Sequence, residues 1–154
     1  MIELSFELYV PCNERQDPGR QDFSDEAIRT YFLYGELTFT VNGVDLAWKG
    51  VVPILDVARQ LFWAVDRLSA QKSEQVVELL DYHSVIRLNL VGSSVSLNSE
   101  YTHGIAQCEF EELRKSTHDF AMKALHTCVE RFPEAATSPE LRENFPLHLD
   151  AQAP

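Results

Sequence analysis

The sequence predicts an α+β domain of two layers, in which two main helices cover one face of a mostly antiparallel sheet of five or six strands. Two pairs of alternating apolar and polar runs meet at two-residue turns, Asn42-Gly43 and Gly92-Ser93, as the strands of β-hairpins do. Two longer segments repeat apolar residues every three or four positions, which is the period of an amphipathic helix. Short turns make neighbouring strands antiparallel, and two helices suffice to cover one face.

The first strand is predicted from a strict alternation that Pro11 ends. Its apolar positions are Ile2, Leu4, Phe6, Leu8 and Val10. The polar residues 12–22 predict a surface loop. Ser24 is predicted to cap a short helical turn after that loop.

The first hairpin is predicted over Tyr31–Val41 and Val44–Trp48. Asn42-Gly43 suits a type I′ turn, because that turn needs a positive φ at both central residues. The register that follows places apolar pairs on one face: Val41 with Val44, Phe39 with Leu46, and Leu37 with Trp48. On the other face it places Glu36 opposite Lys49, a favourable cross-strand pair.

The first main helix is predicted to begin after Pro53 and to run to about Ala70. Trp63 falls at the edge of its apolar stripe. The polar positions on the opposite side are Asp56, Arg59, Gln60, Asp66 and Arg67. The residues that follow, 70–78, predict a polar connection.

The second half repeats the order of hairpin and helix. Alternating runs predict strands over Val85–Val91 and Ser94–Tyr101, and a further strand over Ile105–Phe110. The second main helix is predicted over Phe110–Phe132, where Pro133 stops it. Ser138-Pro139-Glu140 is typical of a capped helix start and predicts a short C-terminal helix to about Asn144. Residues 1–150 are therefore expected to form one domain, and 151–154 a frayed C terminus.

Charge limits the partners that this chain can bind. Among 154 residues there are 24 acidic and 13 basic side chains, which gives a formal charge of −11. The excess is spread over both halves of the sequence, so it is not an acidic tail. Such a charge repels nucleic acid and anionic membranes and favours encounter with a basic protein. Three widely spaced cysteines and the lack of a long apolar segment predict a soluble, cytoplasmic protein without disulfides.

Acidic and aromatic residues are the candidates for partner binding. Glu100, Glu109, Glu111 and Glu112 form the most acidic local run, and Glu74, Glu78 and Asp81 form a second one. The dipole of the second helix offers another explanation for the acids in its first turn, and both explanations can hold. Tyr9 is the best aromatic candidate, since the alternation directs it away from the apolar face of the first strand.

No cofactor or metal is predicted, because the chain has no glycine-rich phosphate loop, no GxSxG and no CxxC. The alternative is a small-molecule-binding or hydrolase-like domain with a site formed by His83, His103 and Cys108. Alternation at Ala106 and Cys108 instead predicts that Cys108 is a core residue. A second alternative is a self-associating regulatory module. The expected state is a monomer or a weak homodimer.

Three segments carry a resemblance to a known class of proteins. They are the hairpin YGELTFTVNGVDL, the helix ILDVARQLFWAV and the closing helix FEELRKSTHDFAMKAL. In layout and composition they resemble the small acidic immunity proteins of bacterial contact-dependent and polymorphic toxin systems. The resemblance spans Tyr31 to Phe132 and implies tight binding to a cognate toxin domain, its neutralisation, and no catalytic turnover. Such families have no invariant signature, so the resemblance assigns no site residue.

Overall fold

The computed structural model describes residues 1–9, 33–79, 85–100 and 104–145. It confirms the α+β class, with antiparallel sheets, two main helices and a short C-terminal helix. The strands are β1 (Ile2–Leu8), β2 (Tyr34–Val41), β3 (Val44–Asp45), β4 (Val51–Pro53), β5 (Glu74–Glu78), β6 (Val85–Val91), β7 (Ser94–Ser99) and β8 (Ile105–Glu109). The helices are α1 (Ile54–Arg67), α2 (Phe110–Arg131), a 3₁₀ turn (Pro133–Thr137) and α3 (Pro139–Asn144). The predicted loop at 12–22 and the predicted cap at Ser24 lie outside the described residues.

The described strands form two four-stranded sheets, where one sheet of five or six strands was expected. In sheet A, β2 is central, with β1 on one side and both β3 and β4 on the other. In sheet B the order is β5-β6-β7-β8. Each strand of sheet B pairs with its neighbour in the sequence, so this sheet is complete without a strand from sheet A. The two strands that sequence analysis missed, β4 and β5, bring each sheet to four.

The first hairpin has the predicted turn but a shorter ladder. Asn42 and Gly43 have φ of 49° and 85°, as the turn requires. Val41 pairs with Val44 as predicted. The predicted pair of Glu36 with Lys49 is wrong, because Glu36 lies opposite Val51.

A short irregular segment explains that shift in register. Leu46, Ala47 and Trp48 are all buried, so the alternation of a regular strand stops here. The backbone N–H of Ala47 donates to the Asp45 carboxylate at 3.0 Å, which turns the chain away from the ladder. The prediction that Leu37 and Trp48 would pair across the strands therefore fails, although both side chains reach the core.

The expected polar connection at 70–78 is also wrong in part, because it contains β5. This strand pairs with β6 from Glu74 opposite Asn89 to Glu78 opposite Val85. Its sequence, EQVVE, offers only two adjacent apolar residues, which is too short a pattern to show a period of two.

Both sheets bury one face against α1 and α2. The second hairpin has the predicted register, with Leu90 opposite Val95 and Leu88 opposite Leu97. Helix α2 also packs on β1, where the rings of Phe6 and Phe120 meet edge to face at 5.7 Å. The sheets and helices share one core, whose largest buried side chains include Trp48, Phe39, Phe120, Phe145, Ile54 and Leu61.

Helix α1 is less exposed on its polar side than the sequence indicates. Asp56 and Arg59 were expected on the solvent side, but both are buried. Asn144 of helix α3 bonds to Arg59, and the start of this helix has the predicted cap: the N–H of Leu141 donates to the Ser138 hydroxyl at 3.2 Å. Because the carboxylate of Asp56 and the guanidinium of Arg59 are 2.8 Å apart, each compensates the other's charge on burial. Trp63 is half-buried, as predicted.

We predict that Gly35→Ala destabilises the protein by about 1–3 kcal/mol, the usual effect of forcing extra volume into a packed site. A Cβ atom at this position would lie 2.4 Å from the carbonyl oxygen of Glu7, so β1 and β2 would have to separate. Gly104→Ala is the matched control, since its nearest neighbour would be a Val44 methyl group at an ordinary 3.7 Å. Equal free energies of unfolding for the two variants, measured with urea, would contradict this packing of β1 on β2.

Candidate protein-interaction surface

Sheet B has one solvent-facing side, which we call the outer face. Alternate residues of its four strands point to this side, and the register places them in rows across the sheet. The opposite side carries the buried residues of the same strands and faces the core. The outer face consists of Glu74, Val76, Glu78, Val85, Arg87, Asn89, Val91, Ser94, Ser96, Asn98, Ile105, Gln107 and Glu109.

Three apolar side chains are exposed on the outer face. Val76, Val91 and Ile105 are 45%, 69% and 67% exposed. Val76 and Ile105 end one continuous row that runs through Arg87 and Asn98. Single exposed apolar residues are common on protein surfaces, but three on one flat sheet face give that face the mixed character of an interface.

Three of the predicted partner-binding acids belong to the outer face. Glu74 and Glu78 lie on β5, and Glu109 lies on β8 at the opposite edge. Three strand spacings separate the two edges, or about 14 Å. Arg87 is the one basic residue of the outer face. Each edge strand of the outer face therefore carries both acidic and exposed apolar side chains: Glu74, Val76 and Glu78 on β5, and Ile105 and Glu109 on β8.

The structure separates the other predicted acids from each other. Glu111 and Glu112 lie in the first turn of α2, next to Glu109, where they complement the helix dipole. Each also has a cation nearby: Arg114 lies 3.4 Å from Glu111, and the amino group of Met1 lies 3.8 Å from Glu112.

Glu100 does not join Glu109. It follows the last residue of β7, whereas Glu109 pairs with Ser94 at the first. Six residues of strand separate these positions, or about 20 Å. Tyr9 is exposed as predicted but follows β1 in sheet A, where its N–H donates to the carbonyl of Tyr34 at 2.9 Å. Asp81 lies outside the described residues.

A polar cleft of about 410 Å³ lies where the edge of β5 meets α1 and α3. Its lining residues are Arg59, Gln60, Trp63, Ala64, Arg67, Gln75, Val76, Glu143 and Asn144. Asn144 ties α3 to this place: its carbonyl accepts from the Trp63 indole at 2.7 Å, and its side-chain oxygen accepts from Arg59 at 3.2 Å.

Arg67 lies at the rim of the cleft with its guanidinium carbon 5.1 Å from the centre of the Trp63 ring. Sequence analysis placed Arg67 on the polar side of α1 and Trp63 at the edge of its apolar stripe. It missed the cleft because neither β5 nor the position of α3 was known.

Cys108 is a core residue, as its alternation with Ala106 predicts. Burial, and secondarily the nearby Glu112 carboxylate, raise the pKa of its thiol to about 11. A thiol with this pKa is protonated at neutral pH and is a poor nucleophile. Its suggested partners, His83 and His103, lie outside the described residues. Within the described ranges, no three His, Cys, Asp or Glu side chains are grouped as metal ligands would be.

No family model, curated protein or solved structure matches this chain. In the part of the chain that the structure describes, no helix combines the length and the apolar character that crossing a bilayer requires.

We predict that Cys108 and Cys128 resist alkylation in the folded protein at pH 8. Both are buried, and burial is the main reason that the pKa of Cys128 rises to about 12. Mapping iodoacetamide adducts by mass spectrometry should show both thiols unmodified until urea unfolds the chain. Fast labelling of native Cys108 at pH 8 would contradict this assignment and favour a reactive thiolate.

The same thiols predict a loss of stability at alkaline pH. An unfolded thiol ionises near pH 9, whereas these two stay protonated in the folded state until about pH 11 and 12. Between these values the unfolded state binds fewer protons, so the free energy of unfolding falls as the pH rises. Denaturation with urea at pH 8 and pH 10.5 measures the effect. Replacing Cys128 with alanine should make the decline shallower.

Proposed function

We propose that this chain is an immunity-type protein, which binds a basic toxin domain through the outer face of sheet B and so neutralises it. The observation that carries the proposal is the composition of that face. Exposed Val76, Val91 and Ile105 are flanked by Glu74, Glu78 and Glu109 on a single rigid sheet. The exposed apolar side chains supply contact area for a partner, and the neighbouring carboxylates speed association and select a basic partner.

The outer face alone is smaller than a stable interface, so we propose that the interface extends beyond it. Four strands spaced by about 4.8 Å and five residues along each strand cover about 300 Å². A stable protein–protein interface buries about 800 Å² on each partner. Glu111 and Glu112 adjoin the Glu109 corner and are exposed, so they extend the acidic rim in that direction.

Electrostatics favours a basic partner over a second copy of the chain. Two copies stacked through their outer faces would bring acidic rims together, and each copy carries a formal charge of −11. Like charges brought together without compensation destabilise an interface. A toxin that cleaves nucleic acid has a basic groove, and an acidic sheet face complements such a groove.

The experiment requires a candidate toxin domain, which is sought among the reading frames next to the gene of this chain. Co-expression should restore growth to cells that produce the toxin, and the purified pair should bind. We predict that Glu74→Lys and Glu109→Lys each slow association about fivefold, because rim charges act mainly on the association rate. Raising the salt from 50 to 500 mM should slow association of the unmodified chain at least about tenfold, since salt screens these charges.

Glu130→Lys is the matched control. It makes the same change in net charge at an exposed position on α2, away from sheet B. Surface plasmon resonance should show a smaller effect for this variant than for the two on the outer face. Equal effects of all three substitutions would mean that net charge alone drives association. An absence of both binding and growth rescue would overturn the proposed function.

A further inference from the structure

Among the strands that the structure describes, β5 is an edge of sheet B, and its hydrogen-bonding pattern shows which of its groups face outward. The carbonyl of Ser73 accepts from the N–H of Leu90 on β6 at 2.7 Å. In an antiparallel pair, alternate residues direct their main-chain groups to the same neighbour. Gln75 and Val77 therefore bond towards β6, whereas the N–H and C=O groups of Glu74, Val76 and Glu78 point away from the sheet.

The outward groups at one end of β5 are already bonded. The N–H of Glu78 donates to the side-chain oxygen of Gln60 at 3.1 Å, and the side-chain nitrogen of Gln60 donates to the carbonyl of Glu78. Gln60 thus takes the place that a neighbouring strand would occupy. The outward main-chain groups of Glu74 and Val76 lie farther along the same edge. They are directly beside the cleft that Gln75 and Val76 help to line.

We propose that β5 accepts an additional antiparallel strand from the basic partner, with hydrogen bonds at Glu74 and Val76. This inference deepens the proposed function and rests on it for the identity of the partner. The added strand has three defined positions in chain order: an apolar residue opposite Val76, an acidic residue opposite Gln75, and a Lys or Arg opposite Glu74. Strand addition of this kind takes its affinity from main-chain bonds and its specificity from alternate side chains.

Each position follows from the charge and exposure of the β5 residue that it faces. Glu74 and Val76 lie on the outer face, so the residues opposite them form cross-strand pairs with a carboxylate and an exposed apolar group. The residue opposite Gln75 points to the other side of the sheet, into the cleft. The cleft volume of about 410 Å³ is larger than that side chain.

The cleft is lined by the cations Arg59 and Arg67 and by the acid Glu143, and Arg67 is the residue that would bind a carboxylate. Arg59 is bonded to Asp56 at 2.8 Å and to Asn144, so its charge is largely compensated. Arg67 is exposed, and its guanidinium lies over the face of the Trp63 ring. A planar guanidinium stacked on an aromatic ring keeps its N–H edge available for a carboxylate. An acidic residue at the middle position of the added strand reaches this edge.

The composition of β5 rejects a second copy of itself. Two β5 strands paired about Val76 would place Glu74 of one copy opposite Glu78 of the other, and like charges in direct opposition are destabilising. The sequence EQVVE otherwise contains neither Lys nor Pro, the residues that commonly protect an edge from pairing. Pairing of this edge with a second copy is therefore disfavoured, whereas pairing with a positively charged strand is favoured.

The test is a titration of the ¹⁵N-labelled chain with a capped heptapeptide, Thr-Thr-Val-Glu-Lys-Thr-Thr, followed by NMR. We expect saturable shifts of the amides of Glu74 and Val76 and slower hydrogen exchange at both. Exchanging the central Glu and Lys of the peptide should weaken binding about tenfold, since both charges then meet like charges. Shifts that spread over the surface without saturation, or equal affinity for the two peptides, would overturn the proposal.

Two variants of the chain separate edge pairing from general charge attraction. Val76→Pro removes an outward N–H without removing a bond to β6, so it should abolish saturable binding. Val76→Thr keeps that N–H and should bind the peptide within about twofold of the unmodified chain. Arg67→Glu is a second variant for the case in which the proline variant fails to fold, because it changes an exposed residue on α1. It should weaken peptide binding about tenfold. Unchanged affinity in Arg67→Glu and in a folded Val76→Pro variant would overturn the assignment.

The peptide experiment is independent of the toxin. If the toxin domain binds and the peptide does not, the proposed function holds and addition to the edge is wrong. If the peptide binds to the edge and no toxin domain does, the proposed function is wrong and the partner must be sought among other proteins that present this three-residue pattern.

Discussion

The fold depends on burying one face of each antiparallel sheet against the same pair of helices. Strands of two hairpins present alternating apolar residues, and α1 and α2 supply the matching apolar surfaces. Burial of large side chains such as Phe39, Phe120 and Trp48 contributes about 1.5–3 kcal/mol for each. Since the helices cover one side only, the other side of sheet B must face solvent. That consequence of the packing creates the outer face.

The outer face and the edge of β5 are two aspects of the same strand. Glu74 and Val76 present side chains to the outer face and main-chain groups to the edge. A partner strand that pairs with the edge would extend the sheet and enlarge the outer face by one row. The polar bonds of Gln60, Trp63 and Asn144 fix α1 and α3 beside this strand, so the cleft is formed before any partner arrives. Preformed sites lose less conformational entropy on binding.

Sequence patterns predicted the parts of the fold that local chemistry determines. The Asn-Gly turn and the register of the second hairpin follow from backbone sterics and from alternation, and both are confirmed. The departures come from tertiary packing. Trp48 lies outside the predicted ladder, in an irregular segment that places its side chain in the core. Arg59 is buried where it bonds to Asn144 of α3, which is distant in sequence, and Asp56 is buried as its ion-pair partner.

The candidate surface was predictable as a set of residues but not as an arrangement. Local charge alone predicts Glu74, Glu78 and Glu109 as partner-binding residues. The register of four strands is needed to place them on one face. The same register separates Glu100 from Glu109, although they belong to one acidic run. Edge strand β5 is too short to recognise in the sequence. Because β5 forms one side of the cleft at Arg67, the cleft could not be predicted either.

Carboxylate footprinting of the chain, free and bound to the proposed toxin partner, is the decisive measurement. Carbodiimide coupling labels exposed carboxylates, and mass spectrometry locates each adduct. We expect Glu74, Glu78 and Glu109 to lose labelling in the complex, while Glu130 on α2 is labelled equally in both states. Undiminished labelling of those three residues, together with protection elsewhere on the chain, would contradict it.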